Sequence, residues 1–242
     1  MLSSAAGPID KTAIRHAATV ILLRDAATRP CVLMGQRGAK AAFMPNKFVF
    51  PGGAVDDGDG AIPLANGLNP ACTAKLADHA DAALIPALQA AAIREVWEET
   101  GLILGQPGQW TTPPPPDWET FAATDHVPSA EGFTFVFRAI TPPGRPRRFD
   151  ARFFMVDAGA IQGDPDDFSH ASDELSQLQW IPIDEVRQFD LPFITEVVLA
   201  EVAGIAKSGQ PPETVPFFNN SDEESLFLRL AGRRPLDHKD QD

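Results

Sequence analysis

The stretch that decides the fold reads AAAIREVWEETGL and covers residues 90–102. On an α-helix, Glu95, Glu98 and Glu99 stand at positions i, i+3 and i+4, which places them on one face with neighbouring Cβ atoms about 5–6 Å apart. Apolar side chains cover the other side, as an amphipathic helix requires. The segment therefore predicts a helix that carries a cluster of carboxylates on one face.

Three carboxylates this close repel one another, so the pKa of at least one should rise unless their charge is compensated. A hard divalent cation compensates it, because Mg²⁺ and Mn²⁺ prefer oxygen ligands. Arg94 adjoins the cluster and reaches Glu98 at i+4, where it could fix the rotamer of that carboxylate. Taken alone, however, three glutamates on a helix are more often a solvated acidic surface than a metal site.

A tight turn precedes the acidic segment along the chain. The residues Phe50-Pro51-Gly52-Gly53 end a short apolar run, and a glycine turn exposes backbone carbonyl oxygens, which are also hard ligands. Pro-Gly-Gly by itself is common between elements of many kinds. The turn indicates a metal site only in combination with the glutamates.

The turn and the helix together resemble the Nudix box, G-x5-E-x7-R-E-U-x-E-E-x-G-U, in which U is a bulky apolar residue. The far end of the box is matched completely from Arg94 to Leu102, and the near end is matched at Gly53. Asp59 stands where the pattern has Glu, and 34 residues separate it from Arg94 instead of seven. The extra length falls in a loop, where it costs little closure entropy.

The insertion, at about residues 60–86, is similar to that of a Nudix branch that includes coenzyme A diphosphatases of peroxisomes. Looser motifs of that branch follow at 147–154 (RRFDARFF) and 180–182 (WIP). The resemblance covers roughly residues 17–198. It implies one α+β domain over 1–242, built as a Nudix-like α/β/α sandwich with a mixed sheet, a loop-helix-loop catalytic motif and an acidic C-terminal tail.

The resemblance also implies an activity, which is hydrolysis of the pyrophosphate bond in a nucleoside diphosphate linked to another moiety. Coenzyme A and its esters are candidate substrates. By position in the box, Glu95, Glu98 and Glu99 would bind Mg²⁺ or Mn²⁺, and the carbonyl oxygen of Gly52 would add a ligand. Arg94 would act in catalysis by orienting a glutamate.

The resemblance implies two candidates for the general base, Glu98 first and Glu174 second. Relatives often carry a metal-site acid shortly before the strand that corresponds to the one at Trp180. Glu174 could equally be a surface carboxylate. The nearby His170 is more often a solvated loop residue than a base.

Two arginines, Arg148 and Arg152, are candidates for binding substrate phosphates. With Arg147 they form a local basic cluster in an acidic chain, and a guanidinium suits phosphate geometry. Pairing with the many carboxylates is the alternative.

The net charge and the composition argue against some classes of function. The net charge of −13 argues against a general nucleic-acid binder, because phosphate backbones are held chiefly by basic patches. The hydrophobic fraction of 44% suffices for a sizeable core, and no apolar run reaches the roughly 18 residues of a membrane span. We therefore expect a cytoplasmic protein with a small nucleotide-like substrate and no nucleic-acid or membrane partner, and a homodimer is the oligomer considered.

Two other classes of function stay open. Asp59 and the insertion are compatible with a non-catalytic nucleotide sensor, which would bind its ligand without releasing phosphate. The proline run at 113–116 is either a stiff connection or a docking site for a proline-recognising partner. The intact glutamate cluster favours the enzyme, because a mere binder has less need for three crowded carboxylates.

Local patterns predict the remaining elements. Short β-branched and apolar runs indicate strands at 19–23, 31–34, 48–50, 133–140, 152–156 and 178–181. Helices are expected at 71–83, 87–100, 183–189 and 192–207, with Pro86 in the first turn of the second helix and Gly101 as its left-handed cap. The stretch from Ser208 carries mixed signals.

Overall fold

The computed structural model describes residues 13–221 and 226–231, so the acidic C-terminal tail lies outside the described residues. Strands within these ranges are β1 Ile14–Arg24, β2 Cys31–Arg37, β3 Phe48–Val49, β4 Gly52–Ala54, β5 Gly105–Pro107, β6 His126–Pro128, β7 Thr134–Ile140, β8 Arg148–Asp157, β9 Leu175–Pro182, β10 Val215–Asn219 and β11 Leu226–Leu230. The helices are α1 Pro70–Ala77, α2 Ile85–Thr100, α3 Glu119–Ala122 and α4 Phe193–Ser208. No helix in the described part of the chain has the length and apolar character needed to cross a membrane.

One mixed sheet forms the middle of the molecule, in the order β11-β10-β7-β8-β1-β2-β3, with β4 beside β1 and β9 beside β2. Strands β1 and β2 pair only next to their turn, where Leu23 lies opposite Val32. Farther along, β1 pairs with β4 and β2 pairs with β3. The two long strands therefore diverge, and the turn between β3 and β4 lies in the gap.

Alternating side chains of β1 divide the interior into two cores. Val20 and Leu22 pack into the core beneath α2, whereas Ile21 and Leu23 pack into the core beneath α4. This alternation follows from the two-residue period of a strand. Helices thus cover both faces of the sheet, which confirms the predicted sandwich with a mixed sheet.

Helix α2 has the start and the end that the sequence predicts. Pro86 lies in its first turn, and Gly101 ends it with a left-handed φ of 74°. Helix α1 is shorter than predicted and stops at Ala77, because Asp78 takes extended angles and His79 has a positive φ of 55°.

The prediction of a helix over residues 183–189 is wrong. Only a single 3₁₀ turn forms there, at Val186–Gln188. Phe189 then takes extended angles, and its ring packs edge-on against Phe48 with centroids 4.7 Å apart. Packing of Phe189 on the buried Phe48 thus competes with helix propensity at this position.

The last two strands were not predicted. Strand β10 contains Pro216, which cannot donate to a ladder and so weakens the strand signal. It pairs in parallel with β7 through Phe217 and Phe218 and antiparallel with β11. Long-range pairing, which a local pattern does not encode, thus forms this edge of the sheet.

Candidate metal and catalytic site

Helix α2 presents its glutamates to the glycine turn between β3 and β4. Glu99 is only 2% exposed, and its carboxylate accepts a hydrogen bond of 2.8 Å from the backbone N–H of Gly52. Glu95 lies against Gly53, where a Cβ atom would come within 2.4 Å of the Glu95 carboxylate. The turn therefore needs glycine at Gly53 so that helix and turn can approach closely.

Arg94 occupies the centre of this arrangement and is 4% exposed. Its Nη1 atom donates to Glu95 at 2.9 Å and to Glu98 at 3.2 Å. Its Nη2 atom donates to the carbonyl oxygen of Ala54 at 2.9 Å. One guanidinium thus fixes two of the glutamates relative to the turn, which is the contact that an orienting role requires.

Asp59, whose role the sequence left in doubt, is the other main partner of Arg94. It is 2% exposed, and its two oxygens accept from Nε and Nη2 of Arg94 at 3.1 Å each. It also accepts from the backbone N–H of Asp56 at 2.8 Å. The insertion therefore begins directly after Asp59 without separating it from Arg94, and the five-residue spacing from Gly53 was the sequence signal for this.

The carboxylates carry more negative charge than one arginine can balance. Burial raises the pKa of Glu95 to about 7, although Arg94 acts against it, and the charges of Glu98 and Glu174 add to the rise. Burial, followed by the charge of Glu95, raises the pKa of Glu99 to about 8. The pKa of Glu98 is also raised, first by burial. Such a group of oxygens favours either protons or a bound cation.

The loop that carries Glu174 lies alongside the end of α2. The backbone N–H of Ser172 donates to the carbonyl oxygen of Glu98 at 2.9 Å, and the ring of His170 stacks on Trp97 with centroids 5.8 Å apart. The negative charge of Glu174 raises the pKa of all three box glutamates. The structure thus brings Glu174 to the cluster, and the position of His170 is that of a packing residue.

Comparison with known proteins agrees with this geometry. Residues 87–202 match the family model described as NUDIX domain. Over these residues, which include the glutamates of α2, the chain is similar to the Nudix domain. It is 31% identical over 179 residues to "Putative nudix hydrolase 7" of Caenorhabditis elegans, a match that covers 69% of this chain and 51% of that protein. The chain therefore spans about half the length of the curated relative it matches.

A solved structure is similar over most of both chains. The crystal structure of a NUDIX hydrolase from Alicyclobacillus acidocaldarius matches with a TM-score of 0.57 and 26% identity, covering 80% of this chain and 93% of that one. The similarity confirms the Nudix fold and supports the prediction of a Nudix hydrolase. Assignment to the branch with coenzyme A diphosphatases stays a prediction.

The donor set of the Nudix domain fits a hard divalent cation, because it consists of carboxylate oxygens with uncompensated charge. Within residues 13–221 and 226–231, no three acidic, histidine or cysteine side chains are already gathered at a metal-binding distance. Glu98, with 37% of its side chain exposed, is bonded to Arg94 at 3.2 Å. The metal-binding roles of the glutamates and of the Gly52 carbonyl therefore stay predictions.

The two arginines predicted to bind phosphate are buried and bonded elsewhere. Arg148 donates to the carbonyl oxygens of Thr141, Asn220 and Ser221 at 2.7–3.0 Å. Arg152 is 1% exposed and pairs with Asp150 at 3.0 Å. Their assignment to the substrate stays a prediction, and their burial gives it no support.

Two residues near the cluster were missed by the sequence interpretation. The charge of Arg37, at the end of β2, lowers the pKa of Glu99, and the charge of Asp117 raises the pKa of Glu98. Both lie far from the box in sequence and in no motif. Only the fold brings them close to the glutamates.

Proposed function

We propose that the protein is a divalent-metal-dependent hydrolase that cleaves the pyrophosphate bond of a nucleoside diphosphate linked to another moiety. The observation that carries the proposal is the cluster of Glu95, Glu98 and Glu99, held by a single arginine against a glycine turn. Its excess negative charge lies next to solvent at Glu98. A diphosphate is itself an anion, so substrate and glutamates need the same cation between them.

The three glutamates and Arg94 have different roles in the proposed reaction. Mg²⁺ or Mn²⁺, when bound, would neutralise charge on the diphosphate and lower the pKa of the attacking water. Glu95 and Glu99, the two more buried of the three box glutamates, would hold the cation together with Glu98. Arg94 fixes the rotamers of Glu95 and Glu98, since both bond to the same Nη1 atom.

The general base is proposed to be Glu98, which accepts a proton from the attacking water. It is the most exposed of the three box glutamates, so it can meet both water and substrate. Glu174 is the second candidate, because it is exposed and its charge acts on the same cluster.

A phosphate-release screen tests the proposal, with coenzyme A and its esters, ADP-ribose, dinucleoside polyphosphates and NADH, each in Mg²⁺ and in Mn²⁺. Glu98→Gln and Glu99→Gln should each lower kcat at least about a hundredfold without unfolding the protein. Glu196→Gln is the matched control, because Glu196 is an exposed helix glutamate on α4, on the opposite side of the sheet. Nearly unchanged turnover in the first two variants would show that the metal site is misassigned.

Glu174→Gln separates the two candidate bases. If Glu98 is the base, Glu174→Gln should retain more activity than Glu98→Gln, and its pH–rate profile should keep the wild-type shape. A larger loss in Glu174→Gln would assign the base to the loop.

No specific observation favours the sensor. Asp59, which motivated that alternative, bonds to Arg94 within the box. A sensor would show nucleotide binding in the same screen with no phosphate release in excess Mg²⁺ or Mn²⁺. A scaffold that uses the proline run would instead lose a partner when residues 113–116 are replaced.

A further inference from the structure

The proline run is part of the wall of a surface cavity of about 380 Å³. The cavity lies in the segment that joins β5 to α3. Its lining residues are Gln109, Trp110, Thr111, Thr112, Pro113, Pro114 and Ala122. The glutamates of α2 do not line this cavity, and the chemistry proposed for them assigns it no role.

We infer that this cavity is the subsite for the nucleobase of the substrate, an inference that rests on the proposed hydrolysis of a nucleotide. The occupant is a planar heteroaromatic ring with hydrogen-bonding groups on its edge. It is attached through its sugar to the diphosphate held at the glutamates of α2.

The Trp110 wall of the cavity is held in place and suited to stacking. The indole N–H of Trp110 donates to the carbonyl oxygen of His126 at 2.9 Å, and its ring lies 5.8 Å from that of Trp118. Both contacts fix the half-buried ring of Trp110. Pro113 and Pro114 add apolar rings with a locked φ. A base that stacks on such a preformed surface loses little extra entropy from the protein.

The charge around the cavity selects a neutral group rather than a phosphate. The lining contains no lysine or arginine, and the neighbouring Asp117, Glu119 and Asp125 are exposed acids. The side chain of Gln109 is fixed, because its Nε2 atom donates to Asp125 at 2.8 Å. Its carbonyl oxygen can accept a hydrogen bond from an amino group on the edge of a base.

A continuous set of aromatic contacts joins the cavity to the catalytic helix. The ring of Trp118 lies 5.4 Å from Phe121, and Phe121 lies 5.9 Å from Trp97, the residue before Glu98. Trp97 also donates to Thr120 at 2.9 Å. Three ring-to-ring steps therefore separate Trp110 from Trp97, and the exposed carboxylate of Asp117, beside the cavity, is close enough to Glu98 for its charge to act on that residue.

Nucleoside binding tests the subsite without catalysis. Protein labelled with ¹⁵N in tryptophan is titrated with adenosine, guanosine, cytidine and uridine in the absence of metal, and the Trp110 indole signal is assigned with Trp110→Phe. At least one nucleoside should shift that signal. Trp180 is the internal control, because it is also half-buried and donates its indole N–H to a carbonyl oxygen, that of Pro165, at 3.1 Å.

Variants give the size of the effect. Trp110→Ala should weaken nucleoside binding at least about tenfold, whereas Trp110→Phe, which keeps a flat ring, should weaken it less than about threefold. Trp180→Phe should leave the affinity unchanged. Absence of any Trp110 shift with all four nucleosides, or equal affinity in wild type and Trp110→Ala, would overturn the inference.

Hydrolysis assays separate this inference from the proposed function. With a nucleotide substrate, Trp110→Ala should raise KM while kcat stays within about threefold. If the wild type hydrolyses substrate and Trp110→Ala keeps its KM, the subsite is wrong and the function stands. If nucleosides shift Trp110 but the wild type releases no phosphate, the function is wrong and the subsite stands.

Discussion

Two arginine–carboxylate clusters in this protein have opposite imbalances of charge. The acidic cluster consists of one arginine and the four carboxylates within 3.5 Å of it, namely Arg94 with Asp56, Asp59, Glu95 and Glu98. The basic cluster consists of one carboxylate and the two arginines within 3.0 Å of it, namely Asp150 with Arg138 and Arg152.

The clusters also differ in access to solvent. The acidic cluster opens through Glu98, whose side chain is 37% exposed. The basic cluster is closed, and its excess charge is met by carbonyl oxygens, that of His79 for Arg138 and that of Asp150 for Arg152. An imbalance that faces solvent can be completed by a ligand, whereas a closed one has to be compensated by dipoles of the fold itself. The comparison teaches that access to solvent, more than the sign of the charge, separates the candidate site from a structural cluster.

The largest expected effect is on the basic cluster. Asp150→Asn removes the carboxylate that pairs with both Arg138 and Arg152, so the free energy of unfolding should fall by about 3–5 kcal/mol. Urea denaturation measures it, and kcat of the folded fraction should change little. Asp166→Asn is the control, because Asp166 pairs with Arg24 at 2.8 Å on the surface and should cost less than about 1 kcal/mol. Similar costs for both variants would remove the distinction between the clusters.

The acidic cluster should respond to pH. The pKa values of Glu95 and Glu99, about 7 and about 8, lie above the ordinary value of 4.5. Between these values the folded protein keeps protons that the unfolded chain has lost, so metal-free stability should fall as pH rises from about 5 to about 8. Each proton that the folded state retains should contribute about 1.4 kcal/mol to this loss per pH unit.

Thermal unfolding at several pH values measures this loss. Saturating Mg²⁺ should reduce the slope, because the cation favours the ionised form, and Glu99→Gln should reduce it without metal. A metal-free stability that is flat from pH 5 to 8 would contradict the charge imbalance.

A third change tests whether Asp59 belongs to the chemistry or only to the fold. Asp59→Asn should lower the free energy of unfolding by about 2 kcal/mol, since a buried charge-assisted bond to Arg94 is lost. Unlike Asp150→Asn, it should also lower kcat, because Arg94 holds Glu95 and Glu98. Asp59→Glu, which restores the family residue, should keep most of the activity. Equal kcat in Asp59→Asn and wild type would place Asp59 outside the catalytic arrangement.

The smallest effect concerns His16, whose Nδ1 atom lies 3.0 Å from Arg152. Burial, followed by the charge of Arg152, lowers the pKa of His16 below 6.5. The folded state therefore disfavours the protonated ring, and stability is lost as pH falls below about 6.5, opposite to the acidic cluster. His16→Gln should remove this loss, which is under about 1 kcal/mol because the ring is half-exposed. An unchanged acid limb in His16→Gln would show that His16 does not titrate with folding.

Sequence patterns were sufficient for helix α2, because its glutamates, its proline start and its glycine cap are local features. They were insufficient for Arg152, because its burial depends on the position of its strand in the middle of the sheet. The sequence does not show that position. Strands β10 and β11 form by pairing across long distances in the chain. Arg37 and Asp117 reach the glutamates only through the fold.

The ion pair between Asp59 and Arg94 makes the geometry of the glutamates independent of the length of the segment after Asp59. The insertion leaves the box and returns to it at positions that this pair already fixes. Segments of other lengths could therefore follow Asp59, provided that they fill the positions that Ile62, Cys72 and Leu76 occupy in the core beneath α2. The position is a natural place at which to graft a new recognition element beside an unchanged reaction centre.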